Sequence, residues 1–282
     1  MTQFNILTYN IFNGCPPPRA EQLDTWLKQH SYDVVGLMEV EEFNSKHFQE
    51  NGKIWGDYTH AEFCQMPKAN FVGVLSKYPI EVYPTPKEKF FHGILHVKIC
   101  SIHYLIVHLT HKSVAARNEE ISELIEIIQK ISEPLIVMGD MNIVSPLDAE
   151  FHTDELRRAM FQKLDLRLHF MSGHETIESI KDGTLEVLGK WSIDYRPMQR
   201  LLDIGLIDLC KESMDRYTVS APTNIPDKGK APLPPVRIDF IFANGQLSLL
   251  KPKARVLTQS DLDNISDHYP VECSWTQSWG HL

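Results

Sequence analysis

Several acids, amides and imidazoles in this chain interrupt apolar runs where packing alone would want a hydrophobic residue. Asn10 and Glu39 close such runs in TYNIFNG and VVGLMEV, and His108 sits in IVHLTH. Asp140 and Asn142 follow LIVM in LIVMGDMN, Asp239 stands inside RIDFIF, and Asp267 and His268 precede the last apolar run in SDHYPV. Singly, most have an ordinary explanation: a turn residue, a solvated strand end, a hydrogen-bonded core histidine. Asp239 resists it, because a carboxylate amid Ile238, Phe240 and Ile241 must be paired, hydrogen-bonded or metal-bound. As a set these residues define a chemistry. Hard carboxylate and amide oxygens suit Mg²⁺ or Mn²⁺. An Asp with a His can activate a water, and Asn and His donors can stabilise charge developing on a phosphoryl group.

These residues must be positioned by the elements that carry them. Phe4–Ile11, Val34–Val40, Phe71–Leu75, Ile94–Cys100, Tyr104–Leu109, Leu135–Met138, Ile238–Ala243 and Val271–Trp275 read as strands. Ala20–His30 reads as a helix with Leu23, Trp26 and Leu27 on one face. Ala115–Ile131 reads as a second, with Ile121, Leu124, Ile125, Ile128 and Ile131 inward and Glu119, Glu120, Glu123 and Glu126 outward, and Met198–Leu202 as a short third. Ser101-Ile102-His103 reads as a hairpin turn. Strands that pair as well as alternate with helices argue for two stacked sheets flanked by helices, an α/β or α+β arrangement. Most chemical residues fall at strand ends, which can converge on one rim of a sheet. Ser145–Trp191 is polar with weak periodicity and reads as a loop-and-helix excursion over the surface; Pro222–Pro235, rich in proline, reads as a loop. Neither reads as a boundary, so residues 1–282 are expected to form a single domain.

The bulk properties bound the function. The formal charge is -9, against passive nucleic-acid binding, although a bound cation would supply positive charge where a phosphate sits. The five cysteines lie far apart without a CxxC pair, which fits reduced thiols better than a disulfide framework or zinc ribbon. No signal peptide and no membrane span is read, so the expectation is a cytoplasmic protein, monomeric by default.

At TYNIFNG, DVVGLMEV, FVGVLSKYPI, YLIVHLTH, PLIVMGDMN, LLDIGLIDL, RIDFIF and ISDHYPV the chain resembles the endonuclease/exonuclease/phosphatase superfamily, of DNase I-like fold. The motifs occur in the family's order across nearly the whole chain; GDMN, RIDFIF and SDH together form a specific signature. The resemblance implies a four-layered α/β/β/α sandwich, with two mixed β-sheets face to face and helices outside. It implies Glu39 as the principal Mg²⁺ (or Mn²⁺) ligand, with Asn10 and Asp267 near the metal. It implies that Asp140 and Asn142 orient the attacking water and the phosphate, that Asp239 and His268 act as a pair, and that His108 donates to a non-bridging oxygen. Either Asp140 or His268 could be the general base. Met38 stands where many members carry Gln, and His108 stands where abasic-site endonucleases carry a Tyr motif, which disfavours that role.

Three functions follow for comparison. The first is metal-dependent hydrolysis of a phosphodiester in nucleic acid. The second is a phosphatase or phosphodiesterase acting on a small molecule or lipid headgroup, mildly favoured by the acidity. The third is an inactive binding scaffold, disfavoured because no implied catalytic position is replaced. His92 and His96 could line the cleft or, less readily, bind zinc; His111 could share the role of His108. Lys228, Lys230 and Arg237 could touch phosphate or form a solvated loop. Trp55, Tyr58 and Phe63 could stack on a substrate or pack in the core.

Overall fold

The computed structural model describes residues 2–40, 55–64, 66, 72–173, 191–213, 216–225 and 233–277. Its strands are β1 (Thr2–Asn10), β2 (Val34–Met38), β3 (His60–Cys64), β4 (Val72–Ser76), β5 (Glu81–Tyr83), β6 (Ile94–Ile99), β7 (Ile102–His108) and β8 (Leu135–Asp140). They continue with β9 (Met171–Gly173), β10 (Trp191–Ile193), β11 (Ile207–Asp208), β12 (Asp239–Ala243), β13 (Lys253–Val256) and β14 (Val271–Gln277). The helices are α1 (Arg19–His30), α2 (Val114–Ile128), α3 (Asp154–Gln162), α4 (Leu164–Phe170), α5 (Arg196–Asp203), α6 (Leu209–Ser213) and α7 (Gly245–Ser248).

Two six-stranded sheets carry the fold, in the orders β13-β14-β1-β2-β4-β3 and β11-β12-β8-β7-β6-β5. Both are mixed, because β1 with β2 and β7 with β8 are parallel while their other pairings are antiparallel. Side chains alternate across each strand, so each sheet has two apolar faces to bury. Ile6, Val34, Tyr104, Ile106, Ile136, Met138 and Ile241 meet between the sheets in one core. The alternate residues Leu7, Tyr9, Val35 and Leu37 face outward onto Leu23, Trp26 and Leu27 of α1. Leu105, Val107, Leu135 and Val137 face outward onto Ile121 and Leu124 of α2 and Met198 and Leu201 of α5. The result is the layered order helix, sheet, sheet, helix.

One expectation is corrected. The β6–β7 hairpin turns at Cys100-Ser101, both left-handed (φ 49° and 65°), not at Ser101-Ile102-His103; Ile102 already pairs with Ile99. The polar stretch after Ser145 carries helices, as expected, in its described part. It contains α3 and α4, and Thr153 caps α3 by accepting from the Leu156 amide. Met160, Leu166, Phe170, Met171 and Ile193 pack there with Val144, Ala221, Val236 and Ile238. The five cysteines are free thiols. Among the described residues no helix is long and apolar enough to cross a membrane. Phe71, Lys228 and Lys230 lie outside the described residues.

Candidate active site

Strand ends from both sheets meet at one rim, and the register explains why. β1 and β2 run parallel with Asn10 opposite Met38, so Glu39 follows beside Asn10. β7 and β8 run parallel with His108 opposite Asp140. β12 runs antiparallel to β8, which pairs its first residue, Asp239, with Asp140. β14 runs antiparallel to β1, so the loop carrying Asp267 and His268 arrives beside Asn10, and Ser266 Oγ donates to the Asn10 carbonyl at 2.6 Å.

Asp140 is the hub. Its Oδ2 accepts from Asn10 Nδ2 at 3.1 Å and lies 3.4 Å from His108 Nε2 and 3.9 Å from His268 Nε2. Its Oδ1 accepts from the Asn142 amide at 2.9 Å, while Asn142 Nδ2 donates to the Leu109 carbonyl at 2.9 Å. His268 Nδ1 is 2.8 Å from Asp239 Oδ2, which turns Nε2 toward Asp140. Asn10 Nδ2 also donates to Glu39 Oε1 at 3.1 Å, and Glu39 Oε2 accepts from the Asn13 amide at 2.8 Å.

The backbone is bent to make this possible. Phe12, Asn13, Gly14 and Cys15 are all left-handed, so the chain curls back after β1 and its amides reach Glu39, itself at φ 61°. Non-glycine residues held in that region cost energy that the surrounding bonds must offset. Gly139 (φ 146°) is required sterically: a Cβ there would lie 1.8 Å from the Val107 carbonyl oxygen. That glycine lets β8 press against β7 where His108 and Asp140 must meet.

Burial raises the pKa of Asp140, and neighbouring Asp239 adds to the rise while His268 opposes it. Burial works against a charged His268, but the carboxylates of Asp239, Asp140 and Asp267 outweigh it and hold its pKa well above the usual imidazole value. The raised value at His268 favours a protonated imidazole, while burial gives the Asp140 carboxylate a raised proton affinity of its own.

A cavity of about 680 Å³ opens onto this cluster, lined on one side by Glu39, His108, Asp140, Asn142, Asp267 and His268. Asn10 and Asp239 stand behind them, each bonded to a residue of the lining. His111 also lines the cavity, and His92 stacks on His108 with ring centres 4.0 Å apart. His96 turns elsewhere: its Nε2 lies 2.9 Å from His103 Nδ1, and it stacks on Tyr83. It therefore neither lines this cavity nor joins His92 in the zinc site considered from spacing. Arg237 is not on a solvated loop; it is buried and paired with Asp148 and Asp208. Trp55 and Tyr58 are buried in the outer core beneath α1, with Phe63 against them.

Several positioning residues gave no sequence signal. Arg19 donates to the carbonyls of Ile11, Phe12 and Ile265, tying the curled loop to the loop before His268. Glu120, expected to face solvent, is buried and accepts from the Phe91 and Thr110 amides, each at 2.7 Å. Arg117 is buried too and donates to the carbonyls of Thr110 and His169. His169 Nε2 lies 2.9 Å from the Asn142 carbonyl. The periodicity of α2 marks its apolar stripe but cannot show which polar neighbours of that stripe turn inward.

A sequence profile of the Endonuclease/Exonuclease/phosphatase family matches residues 7–268, spanning all of these residues. The chain belongs to the endonuclease/exonuclease/phosphatase family. It is therefore a hydrolase of phosphoesters, as the family's members are. Solved structures agree on the family's DNase I-like fold. An AP endonuclease from Archaeoglobus fulgidus superposes with a TM-score of 0.63 at 16% identity, covering 97% of this chain and 100% of that one. A 3'-5' exonuclease from Neisseria meningitidis gives 0.64 at 17% identity over 97% and 100%. An AP endonuclease from Leishmania major gives 0.60 at 11% identity over 98% and 88%. No curated protein sequence matches the chain.

The donor set fits the divalent cation on which this family generally depends. Ligand atoms of Asp140, Asp239 and His268 lie within 4.8 Å of one another, with His268 Nδ1 2.8 Å from Asp239 Oδ2. Glu39 and Asp267 present half-buried carboxylates to the cavity, and oxygen donors of this kind suit a hard cation. Asp239 Oδ1 is buried with no hydrogen-bond partner among the described residues, so the cluster has acceptor capacity to spare.

Proposed function

We propose that the chain is a Mg²⁺- or Mn²⁺-dependent phosphodiesterase of nuclease type, cutting a phosphodiester with an activated water. The observation that carries this reading is the convergence of Asn10, Glu39, His108, Asp140, Asn142, Asp239, Asp267 and His268 at one rim, around one cavity. Glu39, with Asn10 and Asp267, would hold the cation. When bound, that cation would neutralise phosphate charge and favour attack by water.

The chain's own residues do the rest. Asp140 accepts the proton of the attacking water, because it lines the cavity and its carboxylate has a raised proton affinity. Asn10 and the Asn142 amide fix that carboxylate. Asp239 keeps His268 protonated, so that Nε2 donates to a phosphoryl oxygen as charge develops. His108 donates to a second oxygen, held in place by its stack on His92. Relatives in fold include an AP endonuclease and a 3' phosphatase bound to product DNA, which supports nucleic acid as the substrate class.

A second reading, hydrolysis of a small phosphoester, is favoured by a cavity of small-ligand size and the net charge of -9. Side-by-side assays of single-stranded DNA, single-stranded RNA and bis-p-nitrophenyl phosphate with Mg²⁺ decide between the two. Cleavage of a polynucleotide, lost with EDTA and in Glu39→Gln, is the expected result. Cleavage of the small diester alone establishes the second reading, and unaltered activity in Glu39→Gln overturns the metal assignment.

A further inference from the structure

Beyond the catalytic cluster the cavity lining is mixed, with apolar side chains set among Lys112, Asp165, Thr223 and Asn224. Leu166 and Leu168 come from α4, Pro222 and Ile225 from the chain after Ala221, Leu233 from just before β12, and Phe12 from the curled loop. Phosphate binding does not need these apolar side chains. A cavity of about 680 Å³ also falls in the ~300–1,000 Å³ range of small-ligand pockets.

α4 is held rigidly enough to serve as a recognition surface. Its His169 is anchored twice, by Nε2 against the Asn142 carbonyl and by its own carbonyl to the buried Arg117. Its Leu166 and Phe170 are buried in the small core that orders the excursion. Yet Leu168, which lines the cavity, remains 42% exposed. A fixed helix that keeps large aliphatic side chains beside a phosphoester cluster presents area that a ligand can cover.

From this shared lining we propose that α4 and the Pro222–Ile225 segment form a specificity pocket for one ring-sized apolar or aromatic group carried by the phosphoester being cut. The inference rests on the hydrolase reading for the placement of the phosphate, and adds what lies beyond the phosphate. The ring could belong to a small aryl ester or to the terminal nucleoside of a polynucleotide; the shared chemistry is a phosphate bearing a single ring.

The test separates the pocket from the chemistry. Calorimetric titration of the Mn²⁺-loaded protein with phenyl phosphate, thymidine 5'-monophosphate and methyl phosphate reads binding. Hydrolysis of phenyl p-nitrophenyl phosphate and methyl p-nitrophenyl phosphate, which share a leaving group, reads turnover. The expected result is at least about tenfold tighter binding of one ring-bearing phosphate than of methyl phosphate, mirrored in KM, since burying a ring-sized apolar group is worth that much. Leu168→Asn should cut this preference about fivefold or more, while Leu249→Asn, at an exposed leucine remote from the cavity lining, should leave it intact. Tighter phenyl phosphate points to a small ester, tighter nucleotide to a polynucleotide end. A preference in binding without any hydrolysis overturns the hydrolase reading and keeps the pocket. Equal binding of all three, or a preference untouched by Leu168→Asn, overturns the pocket.

Discussion

Asn10 Nδ2 donates to Asp140 Oδ2 at 3.1 Å although the two lie in different sheets and 130 residues apart. The same nitrogen reaches Glu39 Oε1. One side-chain amide thus stands between two carboxylates that would otherwise repel. Asn10→Asp replaces that donor by a third acid. It should lower kcat/KM on bis-p-nitrophenyl phosphate by about a hundredfold, the scale on which misplaced catalytic groups act. Asn10→Ser, which keeps a donor, should lose less. Equal activity in wild type and Asn10→Asp would show that the bridge does not position the site.

Gly139 makes a different demand, on the backbone. Gly139→Ala puts a methyl group into the Val107 carbonyl and forces β8 away from β7. We expect a loss of at least about 3 kcal/mol in urea unfolding, together with loss of activity. A native-like midpoint with full turnover would contradict the close approach.

Arg237 lies buried between Asp148 and Asp208, with Nη2 2.7 Å from the first and 2.6 Å from the second. Arg237→Met removes the buried cation from Asp208 and leaves Asp148 only Lys211 at 3.6 Å, and should cost about 3–5 kcal/mol. Adding Asp148→Asn and Asp208→Asn to that variant should recover part of the loss, because the uncompensated charges are then gone. Denaturant titration of the two variants gives the comparison directly.

Stability should also depend on pH through His152. Its ring is buried against Tyr195, with Nδ1 2.7 Å from the hydroxyl, and burial, with Arg157 and Arg237 nearby, lowers its pKa from 6.5 to about 4. Between those values the unfolded chain binds a proton that the folded chain refuses. The stabilisation is therefore complete above pH 6.5 and is lost as pH falls toward about 4. His152→Phe should flatten the acid limb of stability by at most about 1.4 kcal/mol per pH unit. Parallel acid limbs in the two proteins would show that the ring accepts a proton in place.

The central strands were legible because each is buried along its length, as in Ile102–His108, and such runs announce themselves by composition. The sheet edges were not. Glu81–Tyr83 and Lys253–Val256 are short and half-exposed, and their pairing is decided by neighbours far away in sequence. Asp154–Gln162 fully buries only Met160, with Leu156 and Phe161 partly buried against the same small core, so its apolar face is narrow and short. In the site, the chemical residues stood out because their types conflict with their apolar surroundings, Asp239 most of all. The residues that hold them did not. Glu120 resembles the acids beside it on α2, and only the fold reveals that it turns inward to meet two backbone amides.

That inward turn reaches beyond packing. Thr110 lies in the loop after His108, where backbone amides would ordinarily exchange with water at the rate of loop motion. Here its amide is taken by Glu120 and its carbonyl by Arg117, both from the same helix. The loop therefore opens only when α2 itself lets go. In deuterium exchange, the Thr110 amide should be retained as long as those in the middle of the strands, and the catalytic rim should come apart in one step with the outer helix layer rather than fraying ahead of it.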